Sequence, residues 1–378
     1  MNNIKFFAFY LPQFHPIEEN DSWWGKGFTE WTNVTKAKPL FKGHYQPREP
    51  ADLGYYDLRV PETRQQQADL AKTYGVDGFI YYHYWFGNGK KVLERPLQEV
   101  VKSKQPDFPF CVCWANESWK GIWFGSKDKS TLIEQQYPGK QDYIDHFNYL
   151  LDAFKDDRYI KIDGKCVFNV YMPESIPDLS EFVNVFRECA GKAGIGELYL
   201  LATRVSENWQ PSQHGFDGVI GSEFTTLRYI TGPMYESISP TQRLIKRIKE
   251  KIVGNFELNL NFEERDKPLI VEYKDACKYL LPEKKYPYDY FACVIQDWDN
   301  TARAGNKGVI LNNSTPELWK AHLSKACNYA IENNTGKQIV FIKSWNEWAE
   351  GNYLEPDARW GHEYLKVVQE VKEKFNGL

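Results

Sequence analysis

The sequence predicts a (β/α)8 TIM barrel, an α/β fold, on three observations. Eight short apolar runs recur along the 378 residues. Several are near-continuous in apolar residues rather than alternating, as strands covered on both faces must be. Amphipathic helical segments stand between them, which is the alternation of a parallel sheet wrapped in helices.

The strands expected are residues 5–11, 78–85, 110–115, 166–171, 198–203, 218–223, 292–296 and 338–343. Pro61-Glu62 opens a helix that Gly75 closes, since proline suits the first turn and glycine the position past the last. Ile144, Phe147, Leu151 and Phe154 recur at helical spacing, as do Phe182, Val185, Phe186, Cys189 and Ala193. Trp319, Leu323, Ala326 and Ala330 form a stripe behind Ser314 as N-cap and Pro316 near the first turn. Trp360, Tyr364, Val367, Val371 and Phe375 form the last stripe. Each stripe reads as a helix packed on the sheet. An open doubly wound sheet is the rival. Its nucleotide signatures are missing: Gly87-Asn88-Gly89-Lys90 lacks the final glycine of a dinucleotide loop and the Ser/Thr of a P-loop. Two connections, residues 12–60 and 225–290, exceed ordinary loop length and read as insertions in one domain spanning 1–378. The basic run at residues 243–252 reads as a solvated helix face.

Composition excludes several function classes. Lys plus Arg (47) against Asp plus Glu (51) gives −4, a poor match for gripping phosphate backbones, so no nucleic-acid partner is expected. No apolar run approaches the ~18–20 residues of a transmembrane helix. The N-terminus enters a strand directly, with no secretory signal, so a cytoplasmic location is expected. The seven cysteines then read as thiols of a reducing compartment. Cys111 and Cys113 share a strand face but have no second Cys pair, which argues against zinc.

Aromatic residues make up 16 % of the chain, although mean hydropathy is only −0.59. They concentrate where a barrel keeps its active site, at the C-terminal ends of the strands. Those ends read Tyr82-His83-Tyr84-Trp85, Trp114-Ala115-Asn116-Glu117, Asn169-Val170-Tyr171, Ser222-Glu223, Asp297-Trp298-Asp299-Asn300 and, last, the run from Ser344 to Gly351. The first loop adds His15, Trp23, Trp24, Glu30 and Trp31. Sugars present C–H faces that lie on aromatic rings and hydroxyls that need paired donors and acceptors. Trp and Tyr supply the first, and Asn, Glu and Asp the second.

The strongest constellation is Trp345-Asn346-Glu347-Trp348-Ala349-Glu350-Gly351. A helical turn would face Glu347 and Glu350 the same way. Two carboxyls in one partly apolar pocket split their pKa values, giving one acid and one base or nucleophile, as glycosidic-bond cleavage needs. Asp297-Trp298-Asp299 is a D-x-D, read either as a divalent-metal holder or as a partner for a sugar or for Arg303. There is no G-x-S-x-G elbow and no H-E-x-x-H pair, and the seven histidines show no ligand spacing. No metal or organic cofactor is expected.

The run from Phe9 to Pro16 (F-Y-L-P-Q-F-H-P), with Gly27-Phe28-Thr29-Glu30-Trp31, His44-Tyr45-Gln46-Pro47, Trp114-Ala115-Asn116-Glu117 and Trp298-Asp299-Asn300-Thr301, resembles the WbsX-type family. That family is often labelled as glycosyltransferases of surface-polysaccharide gene clusters. The run from Trp345 to Pro356 also resembles the catalytic segment of glycoside hydrolase family 99, (β/α)8 retaining endo-α-mannosidases and mannanases. That resemblance implies Glu347 as the base that deprotonates a sugar 2-hydroxyl and Glu350 as the acid/base at the leaving oxygen.

The expectation is therefore a retaining glycoside hydrolase, endo-α-mannosidase-like, acting on an α-linked glycan. Glu347 and Glu350 are its catalytic pair. His83, Trp114, Asn116, Glu117, Trp298, Asp299, Trp345, Asn346 and Trp348 are its candidate sugar contacts. A nucleotide-sugar-dependent glycosyltransferase and a non-catalytic glycan-binding protein stand as alternatives.

Overall fold

A computed structural model describes residues 3–121, 130–221, 267–334 and 336–377. Ser222, Glu223 and the basic run at 243–252 lie outside them. Parallel strands β1 (Lys5–Tyr10), β2 (Gly78–Trp85), β3 (Phe110–Trp114), β4 (Lys165–Val170), β5 (Leu198–Ala202) and β6 (Gly218–Ile220) pair in sequence. The seventh, β7, consists of two segments, Asp289–Phe291 and Cys293–Val294, parted by Ala292. The eighth, β8 (Ile339–Ile342), pairs with β1. The first segment of β7 pairs with β6 and the second with β8. Nine parallel segments thus run round a nearly closed barrel. A strand that breaks mid-way can change neighbour, and that lets the cylinder close. β7 starts three residues earlier than expected, because the Tyr-Pro-Tyr-Asp run before it reads as loop.

Alternation sorts the side chains of β2, which is buried along its whole length. Tyr82 stacks on Phe9 and meets Tyr171 inside the barrel. His83 stacks on Tyr149 of the helix Lys140–Phe154, outside it. Helices Pro61–Thr73, Arg95–Ser103, Leu179–Lys192, Pro316–Asn333 and Glu363–Asn376 complete the outer layer. One cap differs from expectation. Thr315, not Ser314, caps Pro316–Asn333, accepting from the Leu318 amide at 3.3 Å. The Ser314 hydroxyl instead donates to the Gln296 carbonyl at 2.6 Å.

The long connections hold structure of their own. Residues 12–60 include the helices Glu18–Trp24 and Glu30–Lys36. Leu269–Glu272 joins Val309–Asn312 and Trp298–Asp299 in a three-stranded sheet over its own apolar cluster. All seven cysteines are free thiols. Among the described residues no helix is long and apolar enough to cross a membrane.

Candidate active site

The segment after β8 is a tight hairpin rather than a helix. Asn346–Glu347 pairs antiparallel with Asn352–Tyr353, and a single 3-10 turn, Trp348–Glu350, joins them. Side chains three apart eclipse in such a turn, so Glu347 and Glu350 still meet. Gly351 closes it at φ +58, and a Cβ there would lie 2.9 Å from Asp299. Only glycine fits both the left-handed backbone and the close approach. The Ser344 hydroxyl accepts from the amides of Asn346 and Glu347, at 3.0 and 2.8 Å. The Asn346 side chain bonds both backbone groups of Leu11, accepting at 2.8 Å and donating at 3.0 Å, and ties the hairpin to the end of β1.

The two carboxyls lie close enough for each to shift the other's titration. Lys343 places its ammonium 3.1 Å from Glu347 and 3.3 Å from the Tyr82 hydroxyl. Arg303 donates to Glu350 at 2.6 Å. Burial favours the neutral acid at Glu347, but Lys343, the neighbouring Glu350 and the Arg303 charge together hold it below the usual carboxylate range. Burial and the charge on Glu347 push Glu350 well above that range, against the pull of Arg303. The pair's proton therefore rests on Glu350. Glu347 is nearly sealed, whereas Glu350 keeps 17 % of its side chain exposed. The arrangement is an accessible proton donor beside a buried proton acceptor.

The D-x-D carboxylates are already occupied. Arg48 donates to Asp297 at 2.6 Å. Asp299 takes His44 and Gln46, each at 2.8 Å, together with the Thr301 hydroxyl at 2.5 Å. The partner expected for them, Arg303, goes instead to Glu350 and Glu30. Among the described residues no group of three or more His, Cys, Asp or Glu side chains is arranged to hold a metal ion.

Comparison with known proteins gives the family. The family model "Glycosyltransferase WbsX" matches residues 6–368. The chain belongs to the WbsX family. Two Xanthomonas campestris pv. campestris proteins, of strains ATCC 33913 and B100, both called "Uncharacterized protein WxcX", are 35 % identical over 365 residues. The match takes in 96 % of this chain and 49 % of each relative, so the chain spans about half the length of the curated relatives it matches. A GH99 endo-alpha-mannosidase from Bacteroides thetaiotaomicron has the same fold, with TM-score 0.54, 14 % identity, and coverage of 99 % of this chain and 97 % of that one. A structure described as "Glycoside hydrolase-like protein" superposes with TM-score 0.57, 14 % identity, and coverage of 98 % and 94 %. The family model gives the membership, and the solved structures, at 14 % identity, give the fold.

In this WbsX-family chain the expected sugar contacts fall into two groups. Trp298 and Asn346 lie nearest the carboxyl pair but are buried too: Trp298, 3 % exposed, has its ring 6.0 Å from the Lys343 ammonium, and Asn346, 0 % exposed, is committed to Leu11 and Tyr56. Glu117 stands further along the strand ends, half-buried and paired with Arg204 at 2.7 Å. The rest are turned away. His83 faces the helix layer, its ring nitrogen 2.9 Å from that of His146. Trp114 packs on Phe182 and His146 in the same layer, because its strand parity is outward. Trp345 and Trp348 both donate to Glu355 and have no more than 1 % of their surface exposed, so neither offers a face to a sugar. Asn116 is spent on Met172 and Tyr137, and Asp299 on the network above. Sequence reasoning passes over Lys343, Tyr82 and Tyr84. A lone lysine closing an apolar strand was the available signal, and the inward parity shared by Tyr82 and Tyr84 was the other.

Proposed function

We propose that this chain is a retaining enzyme acting on an α-linked glycan of mannose or rhamnose type, with Glu347 as base and Glu350 as acid/base. The observation that carries the reading is the paired carboxyls of one turn, Glu347 buried against Lys343 and the more exposed Glu350 held by Arg303. Glu347 takes the proton of the sugar 2-hydroxyl as that oxygen attacks C1. The C1–O bond to the leaving group breaks, and Glu350 gives its proton to the departing oxygen. A 1,2-anhydro sugar results. Glu350 then removes a proton from the incoming hydroxyl, which opens the three-membered ring at C1, and Glu347 returns its proton to O2. Two inversions leave the anomeric configuration retained, with no glycosyl-enzyme bond.

The family's description favours a second reading, transfer, in which a sugar hydroxyl replaces water in the second half. The same two carboxyls serve both. The test is incubation with a panel of α-mannans and bacterial polysaccharides, with and without nucleotide sugars, followed by NMR of the first-formed product. Retained configuration is expected, and an inverted product overturns the proposal.

A further inference from the structure

Arg303 sits where three loops converge. It belongs to the short helix Thr301–Ala304 after β7. Glu30 opens the helix Glu30–Lys36 in the loop after β1, and Glu350 lies in the turn after β8. One end of the guanidinium donates to Glu350 at 2.6 Å, and the other reaches Glu30 through Nε at 3.1 Å and Nη2 at 3.0 Å. Glu30 is wholly buried, and its second carboxyl oxygen, Oε1, meets no donor at bonding geometry among the described residues. A buried carboxylate left half unsatisfied is costly. Holding Arg303 is the service its other oxygen performs.

Charge counting gives that service a purpose. Around the pair stand two cations, Lys343 and Arg303, and three carboxyls, Glu30, Glu347 and Glu350. Tyr84 also faces the cluster, neutral at ordinary pH because burial, then Glu347, raises it. Asp299, on the strand beside the turn, has its charge answered by His44 and Arg48. The cluster is electrically neutral with one proton on board. In the reaction proposed above, Glu350 loses a proton as Glu347 gains one, so neutrality is kept while the negative charge moves onto Glu350.

We propose that Arg303 is a positioning residue that aims Glu350 and receives this charge, and that Glu30 divides the guanidinium's charge so that Glu350 remains an acid. This rests on the reading of Glu350 as acid/base. A fully committed arginine would hold Glu350 ionised. An absent one would leave it too weak an acid. Glu30 sets the balance between these limits.

The test needs no substrate. The full chain is labelled with 13C at glutamate carboxyls, the Glu350 signal is assigned by its loss in Glu350→Gln, and the signal is followed against pH. Arg303→Gln is expected to raise the Glu350 midpoint by about one pH unit or more, and Glu30→Gln to lower it by about half a unit or more. Arg303→Lys keeps the charge and leaves the midpoint near wild type. Opposite shifts from two variants of one ion pair are not produced by loosening a loop. Shifts in the same direction, or none, overturn the proposal. Should Arg303→Gln fail to fold, the Glu30→Gln fall beside an unmoved Arg303→Lys supports it, and no fall in Glu30→Gln overturns it. Full carbohydrate activity in Glu350→Gln would overturn the glycosidic reading instead, whatever the titration shows.

Discussion

Lys343 holds its ammonium 3.1 Å from the Glu347 carboxylate, and neither side chain is more than 6 % exposed. The pair keeps Glu347 charged in a place where burial alone would neutralise it. Its depressed pKa contributes stability above the ordinary carboxylate value, and that contribution is lost as pH falls through the folded value. Lys343→Met reverses the sign. Glu347 is then a buried charge stripped of its ion-pair partner, at a cost of about 3–5 kcal/mol near pH 8. The loss shrinks toward pH 5, where Glu347 takes up a proton. Urea denaturation at the two pH values measures both, and an equal loss at each contradicts the account.

The same split governs rate. In the proposed mechanism turnover needs Glu347 ionised and Glu350 protonated, the states their opposite pKa shifts favour. The acid limb of kcat/KM is therefore expected below the ordinary glutamate range and the alkaline limb well above it, with a broad plateau between. An optimum narrowed around pH 4–5 would place the proton elsewhere.

Glu355 gathers four donors: Trp345 at 2.9 Å, Gln67 at 2.6 Å, Tyr56 at 2.9 Å and Trp348 at 2.6 Å. It thereby fixes both indoles that bracket the catalytic turn. Burial outweighs these bonds and pushes its pKa from 4.5 up to about 7. The folded state thus favours the protonated form. Its contribution to stability is fully present below about 4.5 and is lost as pH rises through about 7. In Glu355→Gln an NH2 group faces two donors where an oxygen stood, which costs on the order of 2–4 kcal/mol. Melting curves from pH 5 to 8 should show a lower Tm and the disappearance of this pH dependence.

Asp297 and Asp299 are engaged by Arg48, His44, Gln46 and Thr301, so a metal would have to displace an arginine and a histidine. Manganese with a nucleoside diphosphate at millimolar concentration is expected to leave Tm unchanged. Asp299, held to about 2 against its burial by His44 and Arg48, contributes stability that is lost only as pH falls from about 3.8 through about 2. Asp299→Asn is therefore destabilising at neutral pH, and a Tm rise with manganese would revive the metal reading.

The barrel was legible because its strands are buried on both faces, and such runs stand out without knowledge of partners. Glu347 and Glu350 were legible because their meeting depends on one local turn. The aromatic contacts were not, and parity explains why. His83 and Trp114 lie one residue out of phase with Tyr82 and Cys113, and a single step moves a side chain from the barrel interior to the helix layer. Arg303 was legible as a charge near the D-x-D, but its pairing with Glu30 spans 273 residues and has no local signature. The indoles beside the pair turned out to be bound to Glu355, a residue five positions beyond Glu350 that only the hairpin brings back.

The most direct test of the central claim is the rate at which Glu350→Gln, shown to be folded, acts on a glycan that the wild type cleaves, with a sugar as leaving group. A leaving oxygen that basic needs the proton, so a loss of roughly 10²–10⁴ in kcat/KM, which reports the bond-breaking step, is expected, and kcat/KM is largely restored when the leaving group is a nitrophenol. Release of fragments at the wild-type rate from the unactivated glycan would contradict the assignment.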